Sequence, residues 1–402
     1  MRHFGLLPED EQTRLFSRRP EAFSRASDVP TLAAALGASL YMPATRPRLA
    51  RDLARQAQLG IMSCVVCLED SIADADVPAA QANAIAQLRE FARDTVRTEV
   101  GTAAGADAGA DESGPLVFVR VRAPEQIPAI VEGLGEHAGI LSGFVVPKFT
   151  ADTGGAYLET LTDTAASAGL RLLVMPVLES PELIFRESRL SSLTGVQQLL
   201  AKYRDIVLAV RIGATDLCGT YGIRRDRDLS IYDVRLVAEF ISDVVNLFGR
   251  ADGSGHVITG PVWEYFNSHE RMFKPRLRQT PFDESHALTL RRELITKDLD
   301  GLIREIALDK ANGLTGKTVI HPTHVAAVHA LSVVTHEEYA DAVDVTDLGT
   351  GSGVMASAYG NKMNESKPHQ AWAHRTLRRA RAFGVAAEDV GFVDLLTAGI
   401  RA

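Results

Sequence analysis

Short apolar runs recur along this chain, each followed by a turn and then by a stretch whose apolar residues return every third or fourth position. Eight runs have this form: "SLYMPA", "MSCVVCLED", "LVFVRVR", "GFVVPK", "RLLVMPVLES", "IVLAVRIGATD", "HVITGPV" and "KTVIHP". Near-continuous apolar sequence is what a strand needs when both of its faces are covered. The stretches between, such as "RPRLARDLARQAQ", "VPAAQANAIAQLREFARDTV" and "TGGAYLETLTDTAASAG", carry the helical period instead. Strand and helix alternating in this way predict parallel strands wrapped by helices. Residues 36–330 then form an α/β domain, a closed (β/α)8 TIM barrel. An open doubly wound sheet has the same periodicity and stands as the alternative, because period alone does not say whether a sheet closes.

The flanks read differently. Residues 1–35 form an N-terminal segment and residues 331–402 a C-terminal helical arm or extension. "THVAAVHALSVVTHEEYADAVDV" is predicted helical, "GTGSG" breaks the pattern as a hinge, and "KPHQAWAHRTLRRARAFG" forms a last amphipathic helix. This arm is too short for an independent enzyme domain, so it is expected to dock on the barrel or on a neighbouring subunit. "EVGTAAGADAGADESGP", residues 99–115, is rich in Ala, Gly and Asp and is predicted to be a mobile surface loop before the third strand. "GTGSG" lacks the spacing of a dinucleotide fingerprint, and there is no Walker A loop.

Composition narrows the function classes. Of 402 residues 46% are hydrophobic and 23% charged, which suits a large soluble core. A net charge of -8 argues against nucleic acid as the main partner. No apolar run reaches the roughly 18 residues of a membrane span. The N-terminus has no apolar region followed by a cleavage site, so no export signal is expected. Three cysteines, an odd number, fit a reducing cytoplasm, and the "CVVC" pair sits within an apolar strand with no second such pair to complete a metal site.

In a barrel the catalytic groups belong where strands end. Arg46 follows the first run, Glu69 and Asp70 the second, and Lys148 the fourth, while Arg120 and Arg122 lie in the third. Glu179 ends the fifth, Asp216 the sixth, Trp263 and Glu264 follow the seventh, and His321 closes the eighth. A solvated rim has no need of so many ionisable groups at the ends of apolar strands. Glu179 and Asp216, on adjacent strands, would offer two hard carboxylate oxygens to Mg²⁺, which leaves other positions to water and substrate oxygens. Arg120 would stabilise charge growing on a keto acid or enolate, its planar fork matching a carboxylate. Neutralising Glu69 or Asp70 in a buried rim network is its structural alternative. "GTYGIRRDRD" would bring Arg224, Arg225 and Arg227 to the mouth, either for a phosphate or CoA-like group or as a solvated loop. Trp263 would cap the pocket or pack in the core. His321, His324 and His329 are closely spaced, but Pro322 places the first two in a loop and zinc is not expected.

Taken together these motifs resemble the HpcH/HpaI aldolase and citrate lyase β-subunit superfamily, in particular its carbon–carbon bond lyase branch associated with tellurium-resistance gene clusters. "YMPATRP" is similar to that superfamily's opening strand, "CLEDSI" to its Leu-Glu-Asp motif, and "VPKF" to its Pro-Lys. "VLESPE" and "GATDL" stand where it has metal-binding Glu and Asp, and "GKTVIHPTHV" where it has its last-strand signature. The resemblance implies that Glu179 and Asp216 bind Mg²⁺ and that Arg120 binds a substrate carboxylate or carbonyl. It further implies that Glu69 orients the site in one network with Arg46 and Lys148. A C-terminal Met-x-Asp motif supplies an acid/base to a neighbouring subunit in thioester-cleaving relatives; "NKMNESKPH" is similar, with Glu365 at the matching position. Arg122, where the family has Asn, implies a more anionic substrate.

The expected activity is therefore that of a Mg²⁺-dependent carbon–carbon lyase acting on a β-hydroxy acid or its thioester, linked to CoA or an acyl carrier. Arg120, Glu69 and Glu365 would be catalytic, with Arg46, Asp70, Arg122, Lys148, Arg224 and Arg225 binding substrate. The alternatives are an acyl-thioester hydrolase on the same site and a non-catalytic barrel for an anionic metabolite. A homo-oligomer, trimer or hexamer, is expected, with no nucleic-acid or membrane partner.

Overall fold

The computed structural model describes residues 1–101, 114–266, 299–347 and 353–401. Each of the eight apolar runs forms a strand: β1 (Ala38–Pro43), β2 (Ser63–Cys67), β3 (Leu116–Arg120), β4 (Leu141–Val146), β5 (Leu173–Leu178), β6 (Val210–Ile212), β7 (Ile258–Thr259) and β8 (Lys317–Val319). All pair in parallel, in the order β7-β6-β5-β4-β3-β2-β1-β8. The two ends of that sheet meet through a parallel bridge between Gly260 and Lys317, so the sheet closes into the expected barrel. The last strands are shorter than their apolar runs. In "IVLAVRIGATD", residues from Ala214 onward already belong to the helix Ala214–Gly219.

Close approach and charge shape the barrel wall. Gly143 in β4 has φ +150, and a Cβ there would lie 1.8 Å from the Leu173 carbonyl oxygen, so only glycine lets β4 meet β5. At the closing seam, the Lys317 Nζ lies 2.6 Å from Asp309 Oδ2 and 3.0 Å from Glu305 Oε1, both on the helix Leu299–Ala311. Glu305 in turn holds the buried Arg225 at 2.5 Å. Two buried cations against two buried anions make a neutral set, and that pairing is what makes their burial tolerable.

The chain's two ends pack together. The strand Phe16–Arg18 pairs antiparallel with Val385–Ala386, and the helix Ser366–Phe383 lies against the helix Val29–Ala35. The helical stretch expected over residues 323–345 is two helices, Val325–Ser332 and His336–Asp347, broken where Val334 bridges Val385. Most of the loop predicted at 99–115, and all but the last residue of "GTGSG", lie outside the described residues. A hairpin, Val354–Ala356 with Met363–Glu365, and a final helix, Phe392–Arg401, complete the arm. His3 is buried in this layer, stacked on Phe383 at 4.1 Å and edge-on to His329 at 4.6 Å, with Nε2 bonded to the Ala35 carbonyl.

These imidazoles set an acid limit on the fold. Burial pushes His3 and His324 down from 6.5 to about 4, and His329 well below the ordinary value. Below pH 6.5 the unfolded chain therefore binds protons that the folded chain refuses, so the stability they contribute is complete above pH 6.5 and lost as pH falls toward 4. Thermal unfolding followed by circular dichroism is expected to show a midpoint falling across that window. A His3→Phe variant, which keeps a ring on Phe383, is expected to fall less steeply.

Candidate active site

The carboxyl ends of the strands bring one guanidinium into the middle of a ring of acids. Arg120 ends β3, and its Nη2 lies 2.8 Å from Glu69 Oε2, 2.8 Å from Glu179 Oε1 and 3.1 Å from Asp70 Oδ2. The register explains the first contacts: Cys67 of β2 is paired with Arg120, so the two residues that follow Leu68 rise beside it. Burial by itself would lower the Arg120 pKa, but Glu179, Tyr41 and Glu69 outweigh it and hold the group charged. Its Nε, also buried, has no hydrogen-bond partner.

Lys148 ties two of these acids together. It adopts a left-handed backbone with φ +47, a conformation that costs a residue with a Cβ about 1–2 kcal/mol. There its N–H donates to Glu179 Oε1 at 2.9 Å while its Nζ donates to Glu69 Oε1 at 2.7 Å. The main chain thus braces the acid after β5 as the side chain braces the acid after β2.

Glu179 is only 3% exposed. Burial pushes its carboxyl up to about 7, against the pull of Arg120, and the negative charge of Asp216 adds to the rise. Asp216, in the helix that follows β6, is also raised, first by burial, with Arg120 and Lys148 opposing. The Asp216 carboxylate accepts no hydrogen bond from another described side chain. Gly213 makes the approach possible: a Cβ there would lie 2.1 Å from Glu179 Oε2.

A carbon–carbon bond lyase model of the TIM-barrel fold matches residues 30–385. The chain belongs to this C–C bond lyase family. Its fold is shared by many solved structures, two of which illustrate it. One is CitE of Mycobacterium tuberculosis in complex with magnesium, acetoacetate and coenzyme A, at 21% identity and TM-score 0.50, over 87% of this chain and 99% of that one. The other is a citrate lyase of Burkholderia xenovorans, at 16% identity and TM-score 0.58, over 90% and 96%. A comparison with curated protein sequences finds no match.

Within this C–C bond lyase fold the other expected residues divide. Arg46 does not join the Glu69–Lys148 network; its Nε pairs with Asp52 Oδ2 at 2.5 Å on the helix Leu49–Gln58, one turn beyond it. Arg122 faces the β2 loop, donating to the carbonyls of Leu68 (2.8 Å), Glu69 (2.9 Å) and Ile72 and pairing with Asp74. Its charge pins the backbone that carries Glu69, which accounts for a cation at this position without a more anionic substrate. The arginine loop is split: Arg224 is exposed, and Arg225 is buried against Glu305 and over the Trp263 ring at 4.8 Å. Arg225 is thus buried rather than solvated: Glu305 holds one end of its fork, and its Nη2 reaches Glu264, which follows β7, at 3.5 Å. Trp263 is 1% exposed and packs in the core rather than capping a pocket.

Glu365 ends the exposed hairpin, and none of its contacts involves the rim acids; its N–H donates to His369 Nδ1. His321 stacks on Phe266 at 4.8 Å. A cavity of about 450 Å³ lies elsewhere, between the N-terminal segment and the helix Ser366–Phe383, and holds none of the rim residues. Sequence reasoning overlooked Gly213, Tyr41 and Arg211. The first has a signal in "RIGATD", where the residue after a strand faces another strand's acid; the other two read as ordinary strand interior.

Replacing Gly213 by alanine places a methyl group against a buried carboxylate. The variant is expected to lose about 1–3 kcal/mol of stability in denaturant titration, the usual cost of overpacking. Alanine at the neighbouring exposed Thr215 is the control and is expected to leave the midpoint unchanged.

Proposed function

We propose that this chain is a Mg²⁺-dependent carbon–carbon lyase that cleaves or forms a β-hydroxy acid or its thioester. The observation that carries the reading is the charge balance around Arg120. Four carboxylates, Glu69, Asp70, Glu179 and Asp216, stand against two cations, Arg120 and Lys148, which leaves the rim two positive charges short. A divalent cation supplies that charge, and the donors suit it: Mg²⁺ takes one or two carboxylates and keeps its other positions for water and substrate. Glu179 and Asp216 would hold it. Among the described residues no three His, Cys, Asp or Glu side chains form a fuller ligand group. When bound, the ion would draw electron density from a substrate carbonyl.

The chain's own groups do the rest. Arg120 spends Nη2 on the carboxylates, which leaves the rest of its fork for a substrate carboxylate or carbonyl, in a buried setting where such a pair is strong. Glu69, fixed by Lys148 and by the Asp70 N–H at 2.9 Å, keeps that guanidinium in place. A base takes the β-hydroxyl proton, the carbon–carbon bond breaks, and its electron pair passes to an enolate whose charge meets Arg120. That CitE was solved with magnesium, acetoacetate and coenzyme A supports this substrate class.

We also propose a homo-oligomer in which Glu365 serves a neighbouring subunit as acid/base. The hairpin exposes Val354 by 59% and Met363 by 65%, more apolar surface than a solvated arm needs. Asn364 cannot take the role, since it is buried and donates to Asp341 Oδ1 at 2.8 Å. Three buried, unbonded cysteines and the lack of any described helix long and apolar enough to cross a membrane support a cytoplasmic setting.

Glu179→Ala and Asp216→Ala are each expected to abolish Mg²⁺ binding by calorimetry and turnover with it; normal metal-dependent activity in either variant rejects the site. Because the Glu179 carboxyl is raised to about 7, the metal must displace a proton below that pH. Mg²⁺ affinity is therefore expected to be flat above pH 7 and to fall about tenfold per pH unit beneath it. Product analysis separates the chemistry: a keto acid marks a lyase, a free acid with thiol a thioesterase.

A further inference from the structure

Beneath the rim, the barrel interior holds a second guanidinium that the proposed reaction does not use. Arg211, on β6, is 1% exposed, and no described carboxylate lies within ion-pairing distance of it. Its fork meets only neutral groups: Ser39 Oγ at 3.3 Å, Thr318 Oγ1 at 2.5 Å and Met175 Sδ at 3.4 Å. Its remaining neighbour is Tyr41, whose ring centre lies 5.5 Å from the guanidinium carbon and whose hydroxyl accepts a hydrogen bond from the guanidinium. Burying a cation without an anion costs several kcal/mol. Packing alone would be served by an apolar side chain.

Tyr41 is the group that this cation holds. On β1 it shares the inward face with Ser39, two residues before it, which reaches both Ser63 and Arg211 inside the barrel. On that inward face it is only half-buried, as expected of a side chain on the floor of a concave mouth. The charged residues in its surroundings are Arg211, Arg120 and Glu179. Arg120 for its part has Tyr41 among its electrostatic neighbours, and its buried Nε has no partner. Burial raises the phenol pKa, so the hydroxyl keeps its proton.

We infer that Tyr41 contacts substrate as a hydrogen-bond donor on the floor of the site, with Arg211 as its positioning residue. The inference rests on the lyase reading and deepens it. Carbon–carbon cleavage leaves negative charge on an oxygen, and a fixed, neutral O–H beside Arg120 offers that oxygen a donor without transferring a proton. Arg211 over the ring fixes its angle, since a cation on an aromatic face is a directional contact.

The test uses the full chain loaded with Mg²⁺ in D₂O. Exchange of the methyl protons of pyruvate or acetoacetate, followed by NMR, reads enolate formation, and calorimetry and thermal unfolding read Mg²⁺ affinity and stability. Tyr41→Phe is expected to slow exchange by about 10²–10³-fold, the usual loss for one such donor, with Mg²⁺ affinity and the unfolding midpoint unchanged. Arg211→Met is expected to slow exchange, and Arg211→Lys to recover part of it by restoring the charge. Exchange at the wild-type rate in Tyr41→Phe overturns the inference and leaves the lyase reading intact. Loss of exchange, Mg²⁺ affinity and stability together in Tyr41→Phe overturns it too, as the sign of a structural role. A wild-type protein that binds no Mg²⁺ and exchanges neither acid overturns the lyase reading and the inference with it.

Discussion

A guanidinium buried among carboxylates is the contact on which the mouth of this barrel is organised. Arg120 touches three acids from two strands, and the two that are buried, Glu69 and Glu179, depend on it for their charge. Removing one partner of a buried, hydrogen-bonded pair costs about 3–5 kcal/mol, so these positions stand or fall as a set. Lys148 extends the set through a strained backbone, and Gly213 gives Glu179 the space it occupies. What the set lacks is positive charge. A protein that keeps Glu179 nearly fully buried beside Asp216, with both carboxyls raised, stores a demand for a cation in the folded state.

That arrangement needs a rigid wall, and the closing seam supplies it. Lys317 from β8 and Arg225 from the loop beyond β6 share Glu305, and Asp309 takes a second bond from Lys317 and one from the Tyr232 hydroxyl at 2.8 Å. The Ile231 N–H also donates to Glu305, at 2.7 Å. One neutral cluster therefore fastens the last strand, the helix that precedes it and the segment downstream of Asp216. Its members are buried and charge-paired, which is why a loop that reads as a cationic patch contributes one arginine to solvent and another to the core.

The architecture was legible because it depends on periodicity. Strands covered on both faces must be apolar throughout, and helices on the outside must not be, so eight runs such as "LVFVRVR" located eight strands. Strand-end acids were legible for a similar reason: a carboxylate closing an apolar run, as in "VLES", has few structural excuses. What could not be read was direction. Arg122 and Arg225 carry the same charge as Arg120, and only the fold shows that one points at carbonyls of the β2 loop and the other at a buried Glu305. Tyr41 and Arg211 were illegible for a further reason, since an inward position within a strand has no sequence mark that separates a packed core from the floor of a site.

Four arginines in this barrel show how far environment decides what one side chain does. Arg122 meets carbonyl dipoles and one exposed acid, so it works as a strap on a loop. Arg225 meets Glu305 in the dry core, and two opposite charges there leave no field for a ligand to feel. Arg120 meets more negative charge than it can neutralise, and so creates a place where a cation is wanted and an anion is accepted only beside one. Arg211 meets no negative charge at all. Its field is therefore uncancelled inside the barrel, and it is directed at whatever sits above it. In a low-dielectric interior such a field acts over several ångströms, and the group it meets is the phenol of Tyr41, which also feels Arg120.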